Sequence, residues 1–165
     1  MPFNPMKHRI PVLKRLVPSV RKRLARATTL NGFTLRACNG AVFLLNSENF
    51  VDRQIAFYDD FEARQTRYLF DLMQRHGCDL FIDIGANIGF YCIQVALRGL
   101  SAAILAFEPD ERNRLQLGAN ILINRVIWKI TVSEKAISVA SGTAAFRPAS
   151  DTSTGQSRVD DGAMA

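Results

Sequence analysis

Phe81-Ile82-Asp83-Ile84-Gly85-Ala86-Asn87-Ile88-Gly89-Phe90 decides the fold of this 165-residue chain. An apolar run ending in Asp-x-Gly-x-Asn-x-Gly reads as a buried parallel strand, a tight glycine turn and the start of a helix. Nineteen residues after Gly89 comes Glu108, which with Pro109 closes a second short apolar run, Ala103-Ile104-Leu105-Ala106-Phe107. The pair suits a nucleoside cofactor. The loop lets the cofactor approach bare backbone, and a carboxylate at the end of the next strand accepts hydrogen bonds from both ribose hydroxyls.

Working outward, the helix after the loop is expected to bury Tyr91, Cys92, Val95 and Ala96 and to stop near Gly99. The helix after Glu108 opens on Pro109-Asp110-Glu111, an acid-rich first turn. It is expected to turn Leu115, Gly118, Ala119 and Leu122 inward. A third strand is expected at Trp128 to Val132 and a shorter fourth at Gly142 to Arg147. Upstream, Asn39-Gly40 between two apolar runs signals a hairpin, because both turn residues must take positive φ. Gln54 to Arg75 has helical periodicity, and Gly77 closes it. Strand, helix, strand, helix, strand implies right-handed crossovers and a parallel sheet with helices on both faces. Winding outward from the first strand gives the order 3-2-1, with the glycine loop at the switch point where such sheets bind ligands.

The charge is unevenly placed. Lys7, Arg9, Lys14, Arg15, Arg21, Lys22, Arg23 and Arg26 put +8 into the first 26 residues, and the rest of the chain carries 13 basic against 15 acidic side chains. The basicity therefore belongs to an N-terminal extension. Such a segment can touch nucleic acid or anionic lipid. A solvated extension is the preferred reading, because no aromatic residue is interleaved to stack on bases. Pro2, Pro5, Pro11 and Pro18 interrupt it, and it has no apolar core of the kind a secretory signal needs. No apolar run approaches the roughly 20 residues that cross a bilayer. Cys38, Cys78 and Cys92 are too few and too scattered for a disulfide framework or a zinc site. A cytoplasmic protein without metal is expected.

The loop discriminates between cofactors. A dinucleotide fingerprint wants glycine at positions that Asn87 and Phe90 occupy here. Asn87 would crowd a pyrophosphate, so NAD and FAD fit poorly. A compact nucleoside bearing an amino acid fits better. Asp83 can receive an ammonium, Asn87 can cap the helix or offer its amide to a carboxylate, and Glu108 can take the ribose. S-adenosylmethionine carries all three groups.

On these residues the chain resembles the FkbM family of S-adenosylmethionine-dependent methyltransferases. The resemblance rests on Phe81 to Gly89, Ala106 to Pro109, the stretch from Asn120 to Asn124, and Glu134 to Ser138 followed by Gly142-Thr143-Ala144. It covers about Tyr68 to Ser150. It implies the Rossmann-like class I methyltransferase fold and O-methylation of a hydroxyl on a small natural product or sugar. It also places Asp83, Gly85, Ala86, Asn87 and Gly89 at the methionine end, Glu108 at the ribose, and Glu134, Lys135 and Ala136 near the adenine. Family members continue into a later strand with Lys-x-Asp-x-Glu-Gly, which this sequence lacks. The expectation is therefore a cofactor half with an open sheet edge, through which self-association is conceivable.

The expected organisation is a basic extension (1–30), a hairpin with a helix (31–78), the cofactor-binding half-domain (79–149) and a disordered polar tail (150–165). Methyl transfer needs positioning, and a base only when the acceptor is a hydroxyl. No base is named by the sequence. His8 lies in the extension and His76 at a helix end. Asp59, Asp60 and Glu62 read as a solvated first turn, and Arg112 and Arg114 as surface residues. Two competing readings stand beside the methyltransferase: a Rossmann-type oxidoreductase, and a half-domain that serves as a non-enzymatic interaction module.

Overall fold

The computed structural model describes residues 32–58, 61–150 and 152–160. The basic extension lies outside them, as do Asp59, Asp60 and the last residues of the polar tail.

Strands β1 (Phe33–Cys38) and β2 (Ala41–Asn46) pair antiparallel with Cys38 opposite Ala41. Asn39 (φ 50°) and Gly40 (φ 84°) supply the two positive angles of the tight turn between them. The expected single helix from Gln54 to Arg75 is two helices, α1 (Phe50–Phe57) and α2 (Ala63–His76). Tyr58 is extended, and Glu62 restarts the chain in the left-handed region at φ 47°. Neither a proline nor a glycine marks this break, and both helices bury an apolar face, so the periodicity runs through it. Gly77, at φ 71°, closes α2.

The central sheet has β3 (Leu80–Ile84), β4 (Ala103–Phe107) and β5 (Ile130–Ser133) in the order β3-β4-β5, all parallel. Helix α3 (Phe90–Arg98) makes the first crossover and ends on Gly99 in the left-handed conformation. Helix α4 (Glu111–Ile123) makes the second. The third strand starts two residues later than the apolar pattern implies, because Trp128 and Lys129 complete the turn that leads into it.

The core joins hairpin, helices and sheet, with Phe43, Leu45, Ile55, Ile88, Ile93, Ile104 and Leu117 fully buried. Phe90 is its aromatic centre, stacked on Phe43 at 5.7 Å and met edge-on by Phe61 at 5.0 Å. Ile104, Ala106 and Ile130 face this core. The alternate residues of β3 do not: Leu80, Ile82 and Ile84 are 48, 48 and 63% exposed. Helices were expected on both faces of the sheet, and among the described residues the covered face is the one that Ile104 and Ala106 present. Right-handed crossovers that keep winding in one direction lay successive helices on one side.

Helix α4 corrects the sequence reading. Leu115 and Leu122 are 70 and 66% exposed, and the inward residues are Asn113, Leu117, Asn120 and Ile121. The reason is the free edge of β2. Asn124 accepts from Val42 N–H (2.9 Å) and donates to Val42 C=O (2.6 Å). Asn120 accepts from Leu44 N–H (2.7 Å), Gln116 donates to Leu44 C=O (2.8 Å), and Asp52 accepts from Asn46 N–H (2.6 Å). Side chains spaced four apart on α4 thus satisfy backbone groups that an unpaired edge would leave open.

The fourth strand is shorter than expected. It is β6 (Ala145–Arg147), which pairs antiparallel with β7 (Arg158–Asp160) in a separate ribbon. The tail expected to be disordered from 150 on therefore returns to the domain, through a one-turn 3-10 helix at Thr154–Gln156. Few apolar residues mark it; polar side chains anchor it instead. Among the described residues no helix is long and apolar enough to cross a membrane.

Candidate functional site

The glycine loop is built by its backbone. Gly85 and Ala86 both donate their N–H to the Phe107 carbonyl at 2.9 Å, which lashes the end of β3 to the end of β4. Three residues of the loop have positive φ: Gly85 (73°), Asn87 (50°) and Gly89 (89°). The two glycines serve different ends. A Cβ on Gly85 would meet nothing within 4 Å, so this residue opens onto free space. A Cβ on Gly89 would stand 2.5 Å from Leu117 Cδ1 and 2.8 Å from Ile93 Cδ1. Gly89 therefore allows the start of α3 to approach Leu117 of α4 closely.

Glu108 is buried at 5% exposure directly beneath this loop. Its Oε2 accepts from the Asn87 N–H at 2.7 Å and its Oε1 from the Asp110 N–H at 2.9 Å. The carboxylate thus joins the loop to the start of α4. Arg114, expected on the surface, donates Nη1 to the carbonyls of Glu108 (3.2 Å) and Pro109 (2.9 Å). Asp83 accepts from Cys92 N–H at 3.1 Å, a contact that sits at the start of α3. Burial pushes the Asp83 carboxyl up, and the nearby charge of Glu108 adds to this. Burial and Asp83 likewise push the Cys92 thiol well up, so Cys92 acts as a small apolar group with an engaged amide.

Within the loop, Asn87 carries a loose end. Its Oδ1 is buried and has no hydrogen-bond donor. A buried, unbonded carbonyl oxygen costs about 1–3 kcal/mol, so it is a place where a donor from outside the chain would be stabilising.

Asp83, Gly85, Ala86, Asn87, Gly89 and Glu108 are gathered at the carboxyl ends of β3 and β4. Glu134 approaches from the end of β5; its side chain is 78% exposed and lies 3.7 Å from Arg114. It lines a groove of about 370 Å³ with Glu111, Arg114, Leu115 and Val132. Ala136 is exposed.

Three features were not legible in the sequence. Glu62, read as solvated, accepts from the Tyr91 hydroxyl at 2.7 Å; burial and this carboxylate raise the phenol above its ordinary range. Arg112, read as a surface residue, clasps Asp110 (Nη2–Oδ2 2.6 Å), and this pairing draws the Asp110 carboxyl down to about 2. Asn120 also donates to the Ile88 carbonyl at 3.0 Å, so it ties the loop to the hairpin. The regular spacing of Gln116, Asn120 and Asn124 was the available signal for the last. Among the described residues no group of His, Cys, Asp and Glu is placed to hold a metal ion.

No protein-family model matches the chain, and no curated protein does. Solved structures do. A "putative transferase" from Pyrococcus horikoshii superimposes with a TM-score of 0.51 at 16% identity, over 76% of this chain and 50% of that one. Weaker parallels are the tRNA (uracil-54, C5)-methyltransferase of Pyrococcus abyssi in complex with S-adenosyl-L-homocysteine (TM-score 0.49, 20% identity, 67% of this chain and 26% of that one covered) and P. horikoshii TYW2 in complex with MeSAdo (0.48, 17%, 76% and 50%). The chain spans half the length of the first of these structures. At such identity the likeness is one of architecture: the chain has the α/β fold of that transferase, with a parallel sheet and flanking helices.

Proposed function

We propose that the chain binds S-adenosylmethionine on the Gly85–Gly89 loop and belongs to a methyltransferase that alkylates a hydroxyl of a small molecule, in the manner of the FkbM family it resembles. The orphaned Oδ1 of Asn87 carries this reading. The cofactor's ammonium is a donor that would satisfy it, and the partly exposed Asp83 carboxyl at the end of β3 suits a cation. Gly85 leaves the backbone bare, and Glu108 lies at the end of the neighbouring strand with lone pairs to spare for a ribose.

Asp83 and Asn87 would hold the amino-acid end, Glu108 the ribose, and the groove beside Glu134 would take the adenine. When bound, the cofactor supplies an electrophilic methyl group on a sulfonium. The protein's part is positioning: a rigid loop, fixed by Phe107 and Glu108, sets the methyl in line with an acceptor. A second reading, an interaction module, is favoured by the exposed Leu80, Ile82 and Ile84 on an edge strand.

Equilibrium dialysis of the purified chain against labelled S-adenosylmethionine and NADH separates these readings. The methyltransferase reading expects saturable retention of the first and none of the second. Retention of neither by a folded chain that runs as a dimer would favour the module.

A further inference from the structure

The segment Thr152–Ser157 has no role in the site as assigned, yet it lies against it. A Cβ on Gly155 would stand 3.3 Å from Asn87 Nδ2 and 3.4 Å from Val51 Cγ2, so the backbone here is in contact with the loop side chain. The anchors on either side are polar. Thr152 C=O accepts from the Phe50 N–H at 2.9 Å, and the buried Thr154 hydroxyl accepts from Asn49 Nδ2. Ser157 Oγ donates to Asp110 Oδ2 at 2.7 Å and accepts from the Ala149 N–H at 2.9 Å, while Arg112 Nη2 donates to the Ala149 carbonyl at 3.0 Å.

We propose that Thr152–Ser157 is a latch seated on the glycine loop, which must lift for the cofactor to enter or leave. The proposal rests on the cofactor reading above. Its anchors are the cap residues of two helices: Asn49 accepts from Val51 and Asp52 at the start of α1, and Asp110 from Arg112 at the start of α4. Both caps keep their helix contacts when the latch lifts. The latch itself, Thr-Ser-Thr-Gly-Gln-Ser, has no apolar side chain to bury, so its opening costs a few hydrogen bonds that water replaces. The β6–β7 ribbon holds its two ends and confines the motion to the segment between them. Gly155 is the contact point, and any side chain there would press on Asn87 or Val51.

Two variants lift the latch without replacing an assigned cofactor residue: Ser157→Ala, by loss of the Asp110 and Ala149 contacts away from Asn87, and Gly155→Leu, whose bulk presses on Asn87 and Val51. Two readouts follow. Without ligand, hydrogen exchange at the Gly85–Gly89 amides should be faster in both variants than in the wild-type chain. With S-adenosylhomocysteine, calorimetry should give tighter apparent binding, about tenfold if the wild-type latch is open about a tenth of the time. Unchanged exchange, or affinity equal to or weaker than wild type in variants with wild-type circular dichroism, would overturn the latch and leave the cofactor reading standing. Absence of S-adenosylhomocysteine binding in every chain would overturn the cofactor reading, and the gating role with it.

Discussion

The Asn87 backbone N–H donates to Glu108 Oε2 at 2.7 Å, across the gap between two neighbouring strands. One carboxylate thereby fixes the middle of the glycine loop, while its second oxygen fixes the Asp110 N–H ahead of α4. The residue proposed to hold the ribose is also the one that shapes the loop.

Glu108→Gln tests this double role. The amide keeps one acceptor and places an NH₂ group against a backbone N–H that also donates. The expected cost is about 1–3 kcal/mol. Urea denaturation should show the midpoint falling with an unchanged slope.

Gly89→Ala should be more damaging than Gly85→Ala. The first forces a methyl to within 2.5 Å of Leu117 at φ 89°; the second meets open space and bears only the cost of positive φ. Overpacking of this kind costs about 1–3 kcal/mol beyond the backbone strain. Thermal melts of the two variants should separate by several degrees in that order.

Helix α4 predicts an inversion of the usual rule. Asn120→Ala should destabilise by about 2–3 kcal/mol, since Leu44 N–H and Ile88 C=O both lose their partner in the interior. Leu115→Ala, at a side chain 70% exposed, should change stability by less than about 0.5 kcal/mol. Chemical denaturation of the pair checks it; equal losses would place Leu115 back in the core.

Asp52 sets a pH dependence. It is fully buried, its Oδ1 has no partner, and burial raises its carboxyl from 3.8 to about 6. The folded state therefore holds this proton more tightly than the unfolded chain. Stability from this group is greatest below about pH 4 and falls as pH rises to about 6, by roughly 3 kcal/mol in all. Asp83 acts in the same direction. Asp110, drawn down to about 2, acts in the opposite direction but in a lower window, losing its contribution only as pH falls below about 4. Asp52→Asn should flatten the profile between pH 4 and 6 while still accepting from Asn46, as unfolding midpoints across that range would show.

What was legible was whatever local chemistry dictates. The apolar runs at Leu80–Ile84 and Ala103–Phe107 are strands with those bounds, since a short apolar run bounded by turn residues is marked by its own composition, although one face of the first is exposed rather than buried. Asn39-Gly40 fixed the hairpin for a similarly local reason. The errors came where a distant partner decides. The break between α1 and α2 has no proline or glycine to announce it. The inward face of α4 follows the unpaired edge of β2, which lies some 75 residues upstream of Asn120 and rewards amides rather than leucines. The polar tail is held by Asn49 and Asp110, which also cap α1 and α4, and no local pattern announces these long-range bonds. The turn after β3 followed the glycine pattern, whereas its Asn120 and Arg114 supports could be found only in three dimensions.

The central claim is that the glycine loop and Glu108 together hold S-adenosylmethionine. Calorimetric titration of the wild-type chain and Glu108→Gln with S-adenosylhomocysteine and with NADH tests it most directly. The account predicts one saturable S-adenosylhomocysteine site in the wild-type chain, affinity at least tenfold weaker in a folded Glu108→Gln chain, and no heat with NADH. Equal S-adenosylhomocysteine affinity in both chains, or NADH binding to the wild type, would contradict it.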